Sequence, residues 1–389
     1  MGEPHPAAAQ LRSCTEAYLA AIAARGVDAF LANGRGLAMV LRPAGGRTVP
    51  LLVSDGRPGK PAIASPTAHH LGYPSHEIGR AQGRIARLAL RAATRPVEAV
   101  LRLTAFDRVV FVNHWLFPSA PPLPAARDQL ARLLESVVRD WPDHAVVVPG
   151  VVPALSAELL RVLVDLGGRA VPSRVVHLQR PGRSFRGGRM RSVRHNRNAD
   201  FAVYARHAPR ATSNAFFLAE QAERIAELYR QLYLERHPAW LNPQLTPAFF
   251  RLLIQSGAFE VCGWTDDGGR LVAFNVRLIG DGVIWWTVGG YDTTLPRSRG
   301  LYRLISTDDV AAVEERGLLL NQGAGNGDFK RRRGAEPAAE FEVVFDRHLA
   351  PQRRLPWQLL ERARRWRVGR ATVLRLDAAY DRVPPGDGA

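Results

Sequence analysis

The residues best able to do chemistry crowd into one stretch, 289–337, which reads GGYDTTLPRSRGLYRLISTDDVAAVEERGLLLNQGAGNGDFKRRRGAEP. Arg297-Ser298-Arg299-Gly300 stands where a helical pattern begins. There, free backbone N–H groups and the positive end of the helix dipole would meet two guanidiniums, which is a setting for an anion such as a phosphate. Past the helix, the glycine-rich turn 323–327 leads into Lys330-Arg331-Arg332-Arg333, a second concentration of cations. The plain alternative is a solvated Arg-Ser-Arg loop and a turn that only reverses the chain. A glycine-rich loop does not separate the two readings by itself.

The elements that must position these residues form a strand–helix–strand unit. Residues 283–288 (VIWWTV) are aromatic and β-branched, as a buried strand requires. Leu301, Leu304, Ile305 and Ala312 fall at helical spacing over 299–316, and Gly317 stops the helix. A short strand, 318–321, follows. Upstream, Leu218, Ala222, Ile225, Tyr229 and Leu232 make a helix stripe that ends at His237-Pro238. Thr246 caps a helix with Pro247 at its first position. Strands 259–264, 271–278 and 283–288 then form a meander through the Asp266–Gly269 and Gly280–Gly282 turns.

The first half reads as a helix at 8–25, strands at 38–41 and 48–53, a Pro/Gly-rich loop at 54–80 and a basic helix at 82–94. A strand at 109–113 and a helix at 125–141 come next. A second strand–helix–strand unit (145–148, 155–166, 173–178) echoes the one at 283–321 and points to a duplicated α/β domain. The join, 180–188, is rich in Gly and Arg. It runs into RMRSVRHNRN, where Arg191, Arg194 and Arg197 share one helix face. That face is either a solvated basic surface or a phosphate site between domains.

The 389 residues are enough for two cores, and 46% hydrophobic with 23% charged residues is ordinary for a globular chain. Two cysteines, Cys14 and Cys262, exclude a disulfide framework. His69-His70 and His76 lack a second ligand pair at zinc-like spacing and read as loop histidines, so no metal is expected. The start of the sequence has no secretory pattern and no apolar run spans a membrane, which gives a cytoplasmic expectation. The net charge of +17 favours a polyanionic partner such as RNA, a phosphorylated ligand or a membrane surface. Only Lys60 and Lys330 of the 53 basic residues are lysines. A composition this rich in arginine would place Arg at 330, so an ammonium there asks for a compact cation.

The element order helix, helix, three antiparallel strands, helix, parallel strand resembles a GNAT acyltransferase domain. The segments ERHPAWLNPQLTP, GGYDTTLP, GLYRL, LNQGAGNGDFKRRRGAEP and DRHL are similar to a bacterial GNAT-superfamily group related to the Fem-type (FemABX-like) aminoacyl transferases, which carry tandem GNAT domains. The resemblance implies an α/β fold with a mixed sheet and two GNAT-like domains, 1–182 and 183–389, the second carrying the site. It implies an N-acyltransferase that moves an acyl group to an amine of a small molecule or peptide. The donor is expected to be acyl-CoA, with acetyl-CoA first, and aminoacyl-tRNA stays open as donor and tRNA as partner. Tyr302 stands where the usual acyl-CoA loop has a small residue. A non-catalytic RNA- or anion-binding protein on a GNAT scaffold is the reading from another class.

On that resemblance the donor lies between the strand before the central helix and the strand after it. Arg297, Arg299, Gly300, Asn321, Gln322 and Gly323 would hold the donor. Trp286, Tyr291, Asn242, Arg191 and Arg194 would face the acceptor. Asp292, Glu235 and His237 are the candidate bases. Asp292 could equally cap the turn before Pro296, and His237 could serve the last carbonyls of its helix. Tyr302 would donate to the departing group, or only pack. Lys330 would sit beside the reacting groups, as the lysine of this motif does in the Fem-type relatives.

Overall fold

The alternating Val, Trp, Phe and Ile residues at 260–291 form the meander in the computed structural model, which describes residues 6–76, 83–124, 126–182 and 190–370. Its strands are β7 (Glu260–Thr265), β8 (Leu271–Gly280) and β9 (Val283–Tyr291), paired antiparallel in sequence order. The two-residue β6 (Ala211–Thr212) pairs with the outer edge of β7. On the other side, the short β10 (Leu319–Asn321) runs parallel to β9, and the end of β5 (Arg169–Gln179) lies antiparallel to β10. The mixed sheet of this unit therefore runs β5-β10-β9-β8-β7-β6.

The chain divides into two compact units, Met1–Ala32 with His177–Glu336, and Asn33–Val176 with Pro337–Ala389. In the first, β8 is almost wholly buried because helices cover both of its faces. Leu301, Leu304 and Ile305 of the helix Leu301–Arg316 pack with Val272, Ala273, Trp264 and with Val203 of the helix Arg191–His207. Farther along the same helix, Ala312 and Val313 meet Ile284 and Leu320. Across the sheet, Phe250 of the helix Pro247–Gln255 stands edge-on to Phe274, 5.6 Å away. Tyr18 of the amino-terminal helix Pro6–Arg25 packs against Phe249 and Phe259. Thr246 caps the Pro247–Gln255 helix as its sequence requires, accepting from the Phe249 N–H at 3.3 Å.

The second unit arranges β1 (Leu37–Ala44), β2 (Arg47–Ser54), β3 (Val109–Val112), β4 (Ala145–Val151), β11 (Glu336–Phe345) and the start of β5 in that order. Strands β3 and β4 are parallel and the other pairs for which a register is known are antiparallel. Leu130, Leu133, Leu134 and Val137 form the buried face of the helix Arg127–Asp140, packed with Leu159, Val162 and Leu163 of Pro153–Asp165.

Two expectations change. The loop expected at 54–80 contains a helical turn, Ala68–Gly72, and buried Lys60. The basic helix expected to end at 94 continues through Pro96 to Leu103. Arg183, Arg186 and Arg189 of the Gly/Arg-rich join lie outside the described residues.

Gly290 marks how closely the layers approach. A Cβ there would lie 2.5 Å from the Phe274 ring and 3.1 Å from the backbone of Leu228 and Tyr229. Backbone atoms cannot step aside as a flexible side-chain tip can. We therefore expect Gly290→Ala to destabilise the fold by about 1–3 kcal/mol. Gly269, at a turn with nothing near it, is the control for a strained φ without a clash. Denaturant melts of the two alanine variants check this. Equal losses at both positions would mean that the close approach is not the constraint.

Candidate functional site

A break in pairing creates the site. Strand β10 meets β9 only from Leu319↔Val283 to Asn321↔Trp285, while β9 continues to Tyr291. At the same level β9 carries an extra residue: Arg277 faces Trp286 and Val276 faces Val288, so Thr287 is bulged and its hydroxyl donates to Val276 O at 2.8 Å. A bulge bends and twists its strand. The part of β9 from Trp286 to Tyr291 therefore diverges from β10 and keeps an unpaired edge on that side.

The chain leaves β10 through a turn held by Lys330. Its ammonium, 8% exposed, donates to the carbonyl oxygens of Gln322 (2.9 Å), Gly323 (3.1 Å) and Ala324 (2.9 Å). Three N–H groups meet three carbonyls from one tight turn, which suits a small tetrahedral cation and not a planar fork. Lys60 is used similarly: it is 3% exposed and bonds Asp55 and the Arg57 carbonyl. Both lysines of this arginine-rich chain are thus turn-holding cations. Beside the turn, Asn321 Oδ1 accepts from Gly323 N at 2.8 Å. Asn321 Nδ2 and Gln322 Oε1 are buried and have no partner among the described residues.

Residues from distant motifs meet here. Tyr302 lies 6.2 Å from Tyr291 and 4.7 Å from Phe329, ring centre to ring centre, and the Arg333 guanidinium covers Phe329 at 3.4 Å. Asn326 donates to the Tyr302 hydroxyl at 3.1 Å. Burial raises the Tyr302 pKa, so this side chain is a phenol at neutral pH with a proton to give. Asp200, buried on Arg191–His207, receives both Arg303 and Arg333 and fixes these cations next to the helix start.

The helix Leu301–Arg316 begins at Gly300, whose φ of 68° is left-handed and whose Cβ, if present, would meet Val203 at 3.1 Å. Arg297 and Arg299 form the turn before it, are exposed, and make no ion pair among the described residues. Arg191 and Arg194 are also exposed and free of ion pairs there, whereas Arg197 reaches Glu314 at 2.9 Å.

Asp292 is committed elsewhere. Its carboxylate receives Arg224 (2.5 Å) and the backbone and hydroxyl of Thr294 (3.0 and 2.5 Å). Burial opposes its charge, but the bonds from Thr294 and Arg224 hold its pKa below the usual range. This is the turn-capping alternative. Glu235 is exposed and paired with Arg230; His237 is half-buried; and Asn242 donates to the Pro238 carbonyl at 3.0 Å. Trp286 packs toward the Leu301–Arg316 helix and donates to Asn275 Oδ1 at 2.9 Å.

That bond ends in a group not anticipated from sequence. Asn275 Nδ2 donates to Asp308 (3.1 Å) and Asp309 (2.8 Å), and Arg277 reaches Asp308 at 2.8 Å. Burial, then the charge of Asp308, raises the Asp309 carboxyl to about 7. The sequence signal was available: two adjacent aspartates cannot both face away from the apolar stripe of this helix, so a buried carboxyl must find partners.

Residues 190–331 match the family model described as an acetyltransferase (GNAT) domain. Among curated protein sequences, none matches significantly. Similar solved structures include the C-terminal domain of a proposed lysylphosphatidylglycerol synthetase from Agrobacterium fabrum. It has 11% identity and a TM-score of 0.46, over 92% of this chain and 96% of that one. FemX has 12% identity and a TM-score of 0.42, over 65% and 86%. A tandem GNAT protein from the clavulanic acid pathway has 12% identity and a TM-score of 0.33, over 86% and 94%. At these values the likenesses carry no functional argument.

Two measurements follow from this geometry. Lys330→Arg and Lys60→Arg should each lower the melting temperature, since a planar guanidinium fork cannot repeat the contacts that each compact ammonium makes. Unchanged melting at both positions would show that the two turns yield. The second measurement concerns Asp309. A carboxyl titrating near 7 when folded and near about 4 when unfolded favours the fold while protonated. That contribution is complete below about pH 4 and is lost as pH rises through about 7. Asp309→Asn, which stays neutral, should therefore gain stability relative to the native chain between pH 5 and 7.5. Parallel stability curves would place the titration elsewhere.

Proposed function

Starting from the GNAT domain that residues 190–331 form, we propose that this chain is an N-acyltransferase that moves an acyl group from acyl-CoA to an amine. The observation that carries the reading is the divergence of β9 and β10 beside the start of the Leu301–Arg316 helix. An extended donor arm carrying amide groups can hydrogen-bond the unpaired β9 edge as a strand would. Its phosphates then reach the helix start, where Arg297, Arg299 and Gly300 stand. Asn321, Gln322 and Gly323 border the other side of the opening. The amide atoms without partners at Asn321 and Gln322 are suited to the donor's amides.

In the reaction the amine nitrogen attacks the thioester carbonyl, a C–N bond forms, the C–S bond breaks, and the departing sulfur takes a proton. Tyr302 is the proposed donor of that proton: Asn326 fills an acceptor site on its oxygen and leaves its O–H to be directed at the sulfur. Lys330 acts as a positioning residue that holds the 322–324 turn in register with the reacting carbonyl. Glu235 and His237 are the bases proposed to take the amine proton, while Asp292 holds the loop that carries Arg297. Tyr291, Trp286 and Asn242, with Arg191 and Arg194 farther out, are proposed for the acceptor side. The chain is read as two tandem GNAT-like domains acting in the cytoplasm, with the units Met1–Ala32 plus His177–Glu336 and Asn33–Val176 plus Pro337–Ala389 replacing the expected halves 1–182 and 183–389. No described helix is long and apolar enough to cross a membrane.

Aminoacyl-tRNA is the second donor. Four exposed arginines that make no ion pair among the described residues, Arg191, Arg194, Arg297 and Arg299, and a net charge of +17 favour it. Salt separates the two donors, because each phosphate neutralised by the protein releases counterions. Acetyl-CoA should bind with a shallow salt dependence, and Arg297→Ala with Arg299→Ala should weaken it without moving the melting temperature. Tyr302→Phe should cut thiol release by about 100-fold or more while leaving donor affinity in place. Steeply salt-sensitive tRNA binding without CoA binding would transfer the proposal to aminoacyl-tRNA. No binding of either would remove the enzyme reading.

A further inference from the structure

Away from the GNAT domain, the unit Asn33–Val176 with Pro337–Ala389 gathers donors that the sequence keeps far apart. His69 and His70 lie in the helical turn Ala68–Gly72, and Glu342 is on β11. His70 Nε2 is 3.0 Å from Glu342 Oε2, and His69 Nε2 is 3.6 Å from Glu342 Oε1. One ligating atom from each of the three residues lies within 4.8 Å of the other two. The side chains of His70 and Glu342 are buried, and that of His69 is partly exposed. The Ser173 hydroxyl lies 2.8 Å from His69 Nε2 and 3.4 Å from Glu342 Oε1. His69, Ser173 and Glu342 line a small pocket, open to solvent, walled by Ile63, Phe111 and Phe117.

We infer that His69, His70 and Glu342 are the ligands of a divalent transition-metal site of the zinc class, with its fourth position turned toward this pocket. Two imidazole nitrogens and one carboxylate oxygen are the donor set of an open, ligand-accepting zinc centre; calcium or magnesium would call for oxygens. Moderate inward movement of the rings brings the three atoms to coordination distance. Ser173, beside two of the ligands, is placed to hydrogen-bond a water or a ligand oxygen in the fourth position. Arg174 does not add a free positive charge, because Glu340 binds it at 2.5 and 3.1 Å.

The orientation of His70 supplies a sharper criterion. Arg364 Nη2 lies 3.3 Å from His70 Nδ1. A guanidinium can only donate, so the proton of this imidazole sits on Nε2 and points at Glu342. An ion at Nε2 requires that proton to move to Nδ1 and Arg364 to turn away. Metal-bound imidazoles donate their other N–H to an acceptor, and replacing Arg364 by an amide provides one.

The test uses the full chain without an affinity tag, stripped by chelator and titrated with Zn2+ by calorimetry and with Co2+ by visible absorption. The expected result is one ion per chain and intense d–d bands from a four-coordinate Co2+. Glu342→Gln and His70→Ala should weaken binding by at least about 100-fold. Arg364→Gln should tighten it by about tenfold, a gain that a misfolded chain could not give. Absence of saturable binding by the native chain overturns the site. So does unchanged affinity in Glu342→Gln, or in Arg364→Gln, which would remove His70 from the ligand set.

Discussion

The parting of β9 from β10 is the constraint on which the candidate site in the first unit depends. A parallel pair has evenly spaced hydrogen bonds and no reason to open partway along its length. Here the opening has two causes. The bulge at Thr287 turns β9, and β10 ends at Asn321 because the chain must enter the turn gripped by Lys330. The layers on either side are too tightly packed to let the strands close again. Gly290 lies against the backbone of Leu228 and Tyr229, and Gly300 lets Val203 approach the helix start. The gap is therefore a property of the packed core.

Charge is distributed by the same logic. Cations near the helix start fall into two groups. Arg303 and Arg333 are fixed by Asp200, and Arg277 by Asp308 and Glu260, so these serve the packing of helix on sheet and helix on helix. Arg297, Arg299, Arg191 and Arg194 are exposed and make no ion pair among the described residues. Exposed guanidiniums contribute little to stability. Their retention costs the fold little and leaves the positive end of the Leu301–Arg316 helix available.

Buried polar groups in both units show how such sites are kept ordered. In the first unit Trp286, Asn275, Arg277, Asp308 and Asp309 form one connected group, so the strand at the opening and the central helix cannot move independently. In the second, Glu342 is surrounded by imidazoles and a hydroxyl supplied by segments far from it in sequence. Satisfied networks of this kind favour one arrangement, because any alternative strands a polar group away from water.

Local pattern was sufficient for much of this. Strand alternation, the Thr246–Pro247 cap, the helix stripe ending at Gly317 and the glycine-rich turn are set by residues within a few positions of one another. All were legible in the sequence. The roles of several candidate residues were not legible, because a role depends on what lies across the fold. Asp292 reads equally as a base or a turn cap until Arg224, 68 residues away, is seen on its carboxylate. Lys330 reads as a compact cation beside the reacting groups until three carbonyls are found around its ammonium, and nothing near Lys60 in sequence shows that it is buried. The bulge at Thr287 has no residue signature, since it arises from the register of two strands. His69 and His70 lack a third donor within any local spacing, and Glu342 reaches them from 272 residues away only because β11 returns beside β4. Sequence determines which elements form and which residue types are available. Tertiary packing decides which of those residues are already occupied.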